Sequence, residues 1–131
     1  MVDINRWYCC FQNGALLHLL QENECVELLL TTCEPLPSSL NLPGKQTALV
    51  GRLLLYGVKM WVVNGEKSFE PLVMKSDIAT IYHFTPYEEK VVVEVKWEDL
   101  HPAFMYERIE IYYHTFEWRD GFYKEWKSSL K

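Results

Sequence analysis

The chain has 131 residues, a formal net charge of −5, 49% hydrophobic and 15% aromatic residues. That length matches one domain and can bury a sizeable core, so neither disorder nor a disulfide-stapled miniature is indicated. No apolar run approaches the roughly 18 residues needed to cross a bilayer. The start, Met1-Val2-Asp3-Ile4-Asn5-Arg6, lacks a basic segment leading into an apolar stretch, so no secretion signal is expected and the cytoplasm is the default compartment.

In chain order, Gly14–Gln21 is an apolar run whose period does not separate strand from short helix. Val26, Leu28 and Leu30 alternate with Glu27, Leu29 and Thr31, which predicts a strand with one core face. Residues 34–45 hold Pro35, Pro37 and Pro43 and are expected to form a long loop inside a single domain spanning 1–131. Leu49 to Val63 is apolar and broken at Gly57, and Asn64-Gly65 predicts a type I′ hairpin turn. Ile78 to Phe84 is a further strand. Val91, Val93, Val95 and Trp97 form the apolar side of the next. Glu98–Tyr106, with Pro102, is expected to be a turn or a single helical turn. Arg108 to Trp118 is expected to be one strand, with Asp120-Gly121 turning into Phe122–Trp126. The sum is a mainly β fold, with β-rich α+β as the variant. It has seven or eight mostly antiparallel strands in a sandwich, a bent sheet or a partly open barrel.

Chemistry-bearing residues are scattered. Cys9-Cys10, Cys25 and Cys33 lack the Cys-x2-Cys spacing of a zinc site and read as plain thiols. His18, His83, His101 and His114 make no metal-binding pair, and His83 and His114 in strand patterns read as structural rings. A Cys–His nucleophile using His18 with Cys9 or Cys10 has no third, orienting group. There is no phosphate loop and no nucleophile elbow. Catalytic residues, metal and cofactor are therefore all expected to be absent.

The aromatics carry more information. Lys59 and Trp61 fall on one strand face, and Trp118, Arg119, Tyr123, Lys124, Trp126 and Lys127 place basic and aromatic residues together. Such a set serves as a base-stacking platform or as anchors of a protein interface. The acidic balance favours a protein partner, itself basic, over nucleic acid. Trp61, Trp118, Tyr123 and Trp126 are the expected contact residues. Three readings stay open: a non-enzymatic protein-binding domain, a small nucleic-acid-binding barrel, and a small ligand-binding barrel or enzyme. No membrane partner is expected.

The segment Trp7-Tyr8-Cys9-Cys10-Phe11-Gln12-Asn13-Gly14-Ala15-Leu16-Leu17 precedes an acidic strand at Glu24–Thr31. Leu53-Leu54-Leu55-Tyr56-Gly57-Val58 and a late strand at Ile109–Trp118 follow. This layout resembles small bacterial immunity-type proteins found beside polymorphic toxins. Those proteins open with an aromatic and a Phe-His-Asp-Ala-like turn and later carry an apolar strand ending in Gly-Val. Here Gln12-Asn13 stands where their His-Asp pair would be. The resemblance implies a mostly-β domain that binds and blocks a toxin domain, and it implies no catalytic residues.

Overall fold

The computed structural model describes residues 11–32 and 50–121. They form nine strands: β1 (Ala15–Glu22), β2 (Cys25–Thr31), β3 (Val50–Tyr56), β4 (Met60–Val63), β5 (Glu66–Lys67), β6 (Ala79–Pro86), β7 (Lys90–Trp97), β8 (Tyr106–Tyr112) and β9 (Thr115–Gly121). All pair antiparallel in one open sheet of order β5-β4-β8-β7-β6-β1-β2-β3-β9. No element among the described residues is a helix, and no helix there is long and apolar enough to cross a membrane. The expected 34–45 loop and the segment Phe122–Trp126 lie outside the described residues, as do Cys9, Cys10 and Cys33.

One face of this sheet supplies the core. Leu16 and Leu19 of β1, Val26, Leu28 and Leu30 of β2, and Leu53 and Leu55 of β3 are buried together. So are Ile81 and Phe84 of β6, Val91, Val93, Val95 and Trp97 of β7, Ile109 and Ile111 of β8, and Trp118 of β9. Each such side chain contributes about 1.5–3 kcal/mol by leaving water. Phe84 of β6 and Trp118 of β9, four strands apart, both pack on the Phe11 ring, at 5.1 and 5.5 Å, so the sheet curves toward this face.

Two adjacent bulges assist the bend. In β1, Leu16 opposes Leu30 and His18 opposes Leu29, so Leu17 is an extra residue. In β6, Ile81 opposes Val95 and His83 opposes Glu94, so Tyr82 is extra. Strand side chains alternate, so residues three apart should face opposite ways. The inserted residue reverses that and turns Leu16 with Leu19, and Ile81 with Phe84, to the same core. This also explains why the period of Gly14–Gln21 is ambiguous: a bulged strand carries the i, i+3 spacing of a helix.

Other expectations meet the structure directly. Asn64 and Gly65 both have positive φ, 53° and 83°, at the β4–β5 turn. Gly57, φ 71°, divides β3 from β4. The residues 108–118 are not one strand. They divide into β8 and β9, because the core-facing set passes from Ile109 and Ile111 to Trp118, a change of parity absorbed at Tyr113 and His114. The ring of Trp118 lies over Gly51 of β3, where a Cβ would come within 2.5 Å of it.

Beyond β5, residues 68–75 form a strap from the β4 edge to β1. The Ser68 N–H donates to the Trp61 carbonyl at 3.0 Å, and the Trp61 indole N–H donates to the Glu70 carbonyl at 2.9 Å. Further on, the Leu72 N–H donates to Gln21 Oε1 at 2.9 Å, and Val73 bridges Leu20. Lys75 then pairs with Glu107, a buried carboxylate on the core side of β8. A cavity of about 170 Å³ lies against the strap, lined by residues that include Leu19, Val63, Leu72 and Glu107.

Candidate functional site: a groove on the outer face of β6, β7 and β8

Register alone assembles a concavity on the outer face. Glu94 of β7 opposes Arg108 of β8 on one side and His83 of β6 on the other. One step along, Lys96 opposes Tyr106. Because the core takes Val93 and Val95, these residues point outward, and the bulge at Tyr82 leaves that ring beside His83. The groove has a volume of about 550 Å³ and is lined by Asn64, Tyr82, His83, Glu94, Val95, Tyr106, Glu107 and Arg108.

Tyr82 and Tyr106 stand on strands two apart, about 10 Å at ordinary strand spacing. Their rings nonetheless stack, centroids 5.6 Å apart and planes 28° from parallel, so they arch over β7. The hydrogen bond to Tyr106, followed by burial and the Tyr106 and Glu98 charges, pushes the Tyr82 phenol above its ordinary value. It is therefore a neutral hydroxyl at physiological pH. The Glu94 carboxylate sits between the His83 ring and the Arg108 guanidinium without closing on either, 3.8 Å from His83 Nε2 and 3.7 Å from Arg108 Nε. Asn64 Oδ1 accepts the Arg108 backbone N–H at 2.8 Å, which ties the β4–β5 turn to the groove floor. Aromatic faces, hydroxyls and half-exposed charges of both signs are binding groups; none of the lining side chains is a serine, threonine or cysteine.

At the opposite end of β7 and β8, Lys90 is held at 2.9 Å by Glu110 and lies over the rings of Tyr87 and Tyr112. The pair holds the Glu110 carboxyl below its ordinary range, and the same bond holds Lys90 above its own. On the outer face of the other half, Glu27 pairs with Arg52 at 3.0 Å, and Glu117 accepts from Arg119 at 2.6 Å and from Tyr56 at 3.1 Å. Arg119, then Tyr56, pulls the Glu117 carboxyl down. Burial, then the charges of Glu27 and Glu22, pushes the Cys25 thiol up, which keeps it protonated and a poor nucleophile.

The expected contact residues separate. Trp118 is corrected: it is a core residue, packed 5.5 Å from the Phe11 ring, and offers no surface. Trp61 is half-buried, and its indole N–H is committed to the strap. Tyr123 and Trp126 lie outside the described residues, as do Lys124 and Lys127. Lys59 lies just before β4 and is exposed. Of the basic and aromatic group from Trp118 to Lys127, the residues named above that are described are a buried tryptophan and an arginine closed onto Glu117. His83, expected as a structural ring, is exposed in the groove. Among the described residues no cluster of three or more His, Cys, Asp or Glu could hold a metal ion. Set against protein-family models, curated proteins and solved structures, the chain finds no match in any of the three.

Proposed function

We propose that the chain is a non-enzymatic protein-binding domain whose contact surface is centred on the β6–β7–β8 groove. The observation that carries this reading is the exposed Tyr106 stacked on Tyr82 beside loosely paired Arg108, Glu94 and His83. Tyrosine and arginine are the residues on which interface energy concentrates, because each offers a large rigid contact and directed donors. Charges that do not close on one another within their own chain keep donors and acceptors for another. The acidic balance and the resemblance to immunity-type proteins support the narrower proposal of an inhibitor that covers a basic toxin domain.

Affinity capture from the source cells with the tagged chain and with a Tyr106→Ala, Arg108→Ala variant tests this. The expected result is a protein retained by the native chain and lost by the folded variant. The same proteins captured by both would overturn the choice of groove.

A second reading has its own observation. A volume of about 550 Å³ falls in the range of small-molecule sites. Native mass spectrometry of the chain purified from its source separates the two. A bound mass under about 1,000 Da, displaced by Tyr106→Ala, would favour the ligand.

A further inference from the structure

The outward residues of β6, β7 and β8 form one surface, and its charges cancel. Val93, Val95 and Trp97 are in the core, so Lys90, Glu94 and Lys96 of β7 face outward. On β8, Ile109 and Ile111 are in the core and Glu107 is buried, which turns Tyr106, Arg108, Glu110 and Tyr112 outward. Register sets His83, Glu94 and Arg108 in one row across the three strands, and Thr80, Lys96 and Tyr106 in the next. Glu98 joins this face by accepting from Thr80 Oγ1 at 2.9 Å. Lys90, Lys96 and Arg108 thus stand against Glu94, Glu98 and Glu110. With His83 counted as neutral the balance is zero, on a chain of −5. Within the groove the balance is again zero: Arg108 offsets Glu94, and the Glu107 carboxylate is engaged by Lys75 on the core side.

The polar groups of the groove are of both kinds and reach solvent. The side chains of His83, Arg108 and Glu94 are 59%, 50% and 38% exposed. A guanidinium only donates and a carboxylate only accepts, while imidazole and phenol do both. An anion here would meet Glu94, and a cation would meet Arg108. An apolar molecule would take both charges out of water without replacing their hydrogen bonds. A neutral molecule rich in hydroxyls avoids each of these costs, because a hydroxyl donates to the carboxylate and accepts from the guanidinium. The Tyr106 ring, 58% exposed, adds an apolar surface for a ring of C–H groups. A peptide main chain is also neutral, but its donors and acceptors are met by a sheet edge, and these groups project from a sheet face.

We infer that the groove is a carbohydrate site. Its ligand is an uncharged oligosaccharide, with one sugar ring on Tyr106 and hydroxyls on Glu94, Arg108 and His83. This rests on the groove being the binding surface, as both readings above require. The sugar is carried on a protein partner in the first reading and is free in the second, and the contacts are the same.

The labelled full chain, applied to an array of neutral and acidic glycans, provides the test, with the strongest ligand then titrated by calorimetry. Neutral glycans are expected to bind, with an affinity that does not change as salt rises, since no ion pair forms with the ligand. Tyr106→Ala should weaken that glycan about tenfold or more, and Glu94→Gln and Arg108→Ala should each weaken it. Tyr87→Ser, at an exposed ring outside the groove, should change nothing, and circular dichroism confirms that each variant is folded. No glycan retained, acidic glycans alone retained, or binding indifferent to Tyr106 and Glu94 would overturn the inference. Loss of capture after enzymatic deglycosylation of the source lysate marks a sugar carried on a protein. A saccharide mass in native mass spectrometry marks a free one. A protein still captured after deglycosylation, or a small mass that is not a saccharide, leaves the groove standing and removes the sugar, provided that Tyr106→Ala, Arg108→Ala abolishes its binding.

Discussion

Both halves of the outer sheet face carry charged residues, and they use them differently. On β2, β3 and β9, Glu27 with Arg52, and Glu117 with Arg119 and Tyr56, close at 2.6 to 3.1 Å. Leu29 and Leu54 are buried on that same face. On β6, β7 and β8, Lys90 and Glu110 also close, at 2.9 Å, but at the groove Glu94 stands 3.7 Å from Arg108 and 3.8 Å from the His83 ring, beside a stacked tyrosine pair. The first half spends its polar groups on itself. The second holds them partly unspent. The lesson is that counting charges on strands does not locate a site, whereas the tightness with which they close does.

Substitutions in the two halves should therefore separate stability from binding. The largest stability effect is expected from Trp118→Ala, which empties core space above Gly51 and against Phe11. It should lower unfolding free energy by about 3–5 kcal/mol in urea titration, without a direct effect on the groove. Next comes Lys75→Met, which leaves the buried Glu107 carboxylate without its cation. A loss of about 1–3 kcal/mol is expected by the same titration. Tyr106→Ala reverses the pattern: stability within about 1 kcal/mol of native, because the ring is largely exposed, and partner affinity reduced about tenfold or more by calorimetry. A Tyr106 variant that unfolds while still binding would erase the contrast between the halves.

The smallest effect concerns pH. Glu110 and Glu117 have carboxyls held below their ordinary range, by Lys90 and by Arg119. Their contribution is complete above the unfolded-state value and is lost as pH falls through the lowered folded value. The thermal midpoint should accordingly drop as the solution is acidified through and below the ordinary carboxylate range. Part of that drop should disappear in Glu110→Gln and Glu117→Gln. These pairs are near the surface, so the change is modest and shrinks with added salt.

Much of the architecture is legible in the residues, and the failures have identifiable causes. Val26, Leu28 and Leu30, and Val91 to Trp97, follow strict alternation, and Asn64-Gly65 has one good backbone solution. Gly14–Gln21 stays ambiguous because the extra residue at Leu17 disguises a strand as a helix turn. The division of 108–118 is written in the shift from Ile109 and Ile111 to Trp118, but aromatic residues on both sides mask it. The groove is a different matter. Tyr82, His83, Glu94 and Arg108 come from three strands, and only the register brings them side by side. Composition favours tryptophan as the anchor, yet burial consumes Trp118 and the strap engages Trp61.

The paired bulges carry one more implication. Leu17 and Tyr82 act as commas in the reading frame of their strands, each resetting which residues the interior receives. Deleting either one would send Leu19 or Phe84 outward and bring a polar neighbour in. A single-codon loss in these strands is thus an inside-out error, while the same loss in the hairpin tips only shortens a loop. Tyr82 also belongs to the groove, so one extra residue both keeps the interior dry and supplies a ring to the surface.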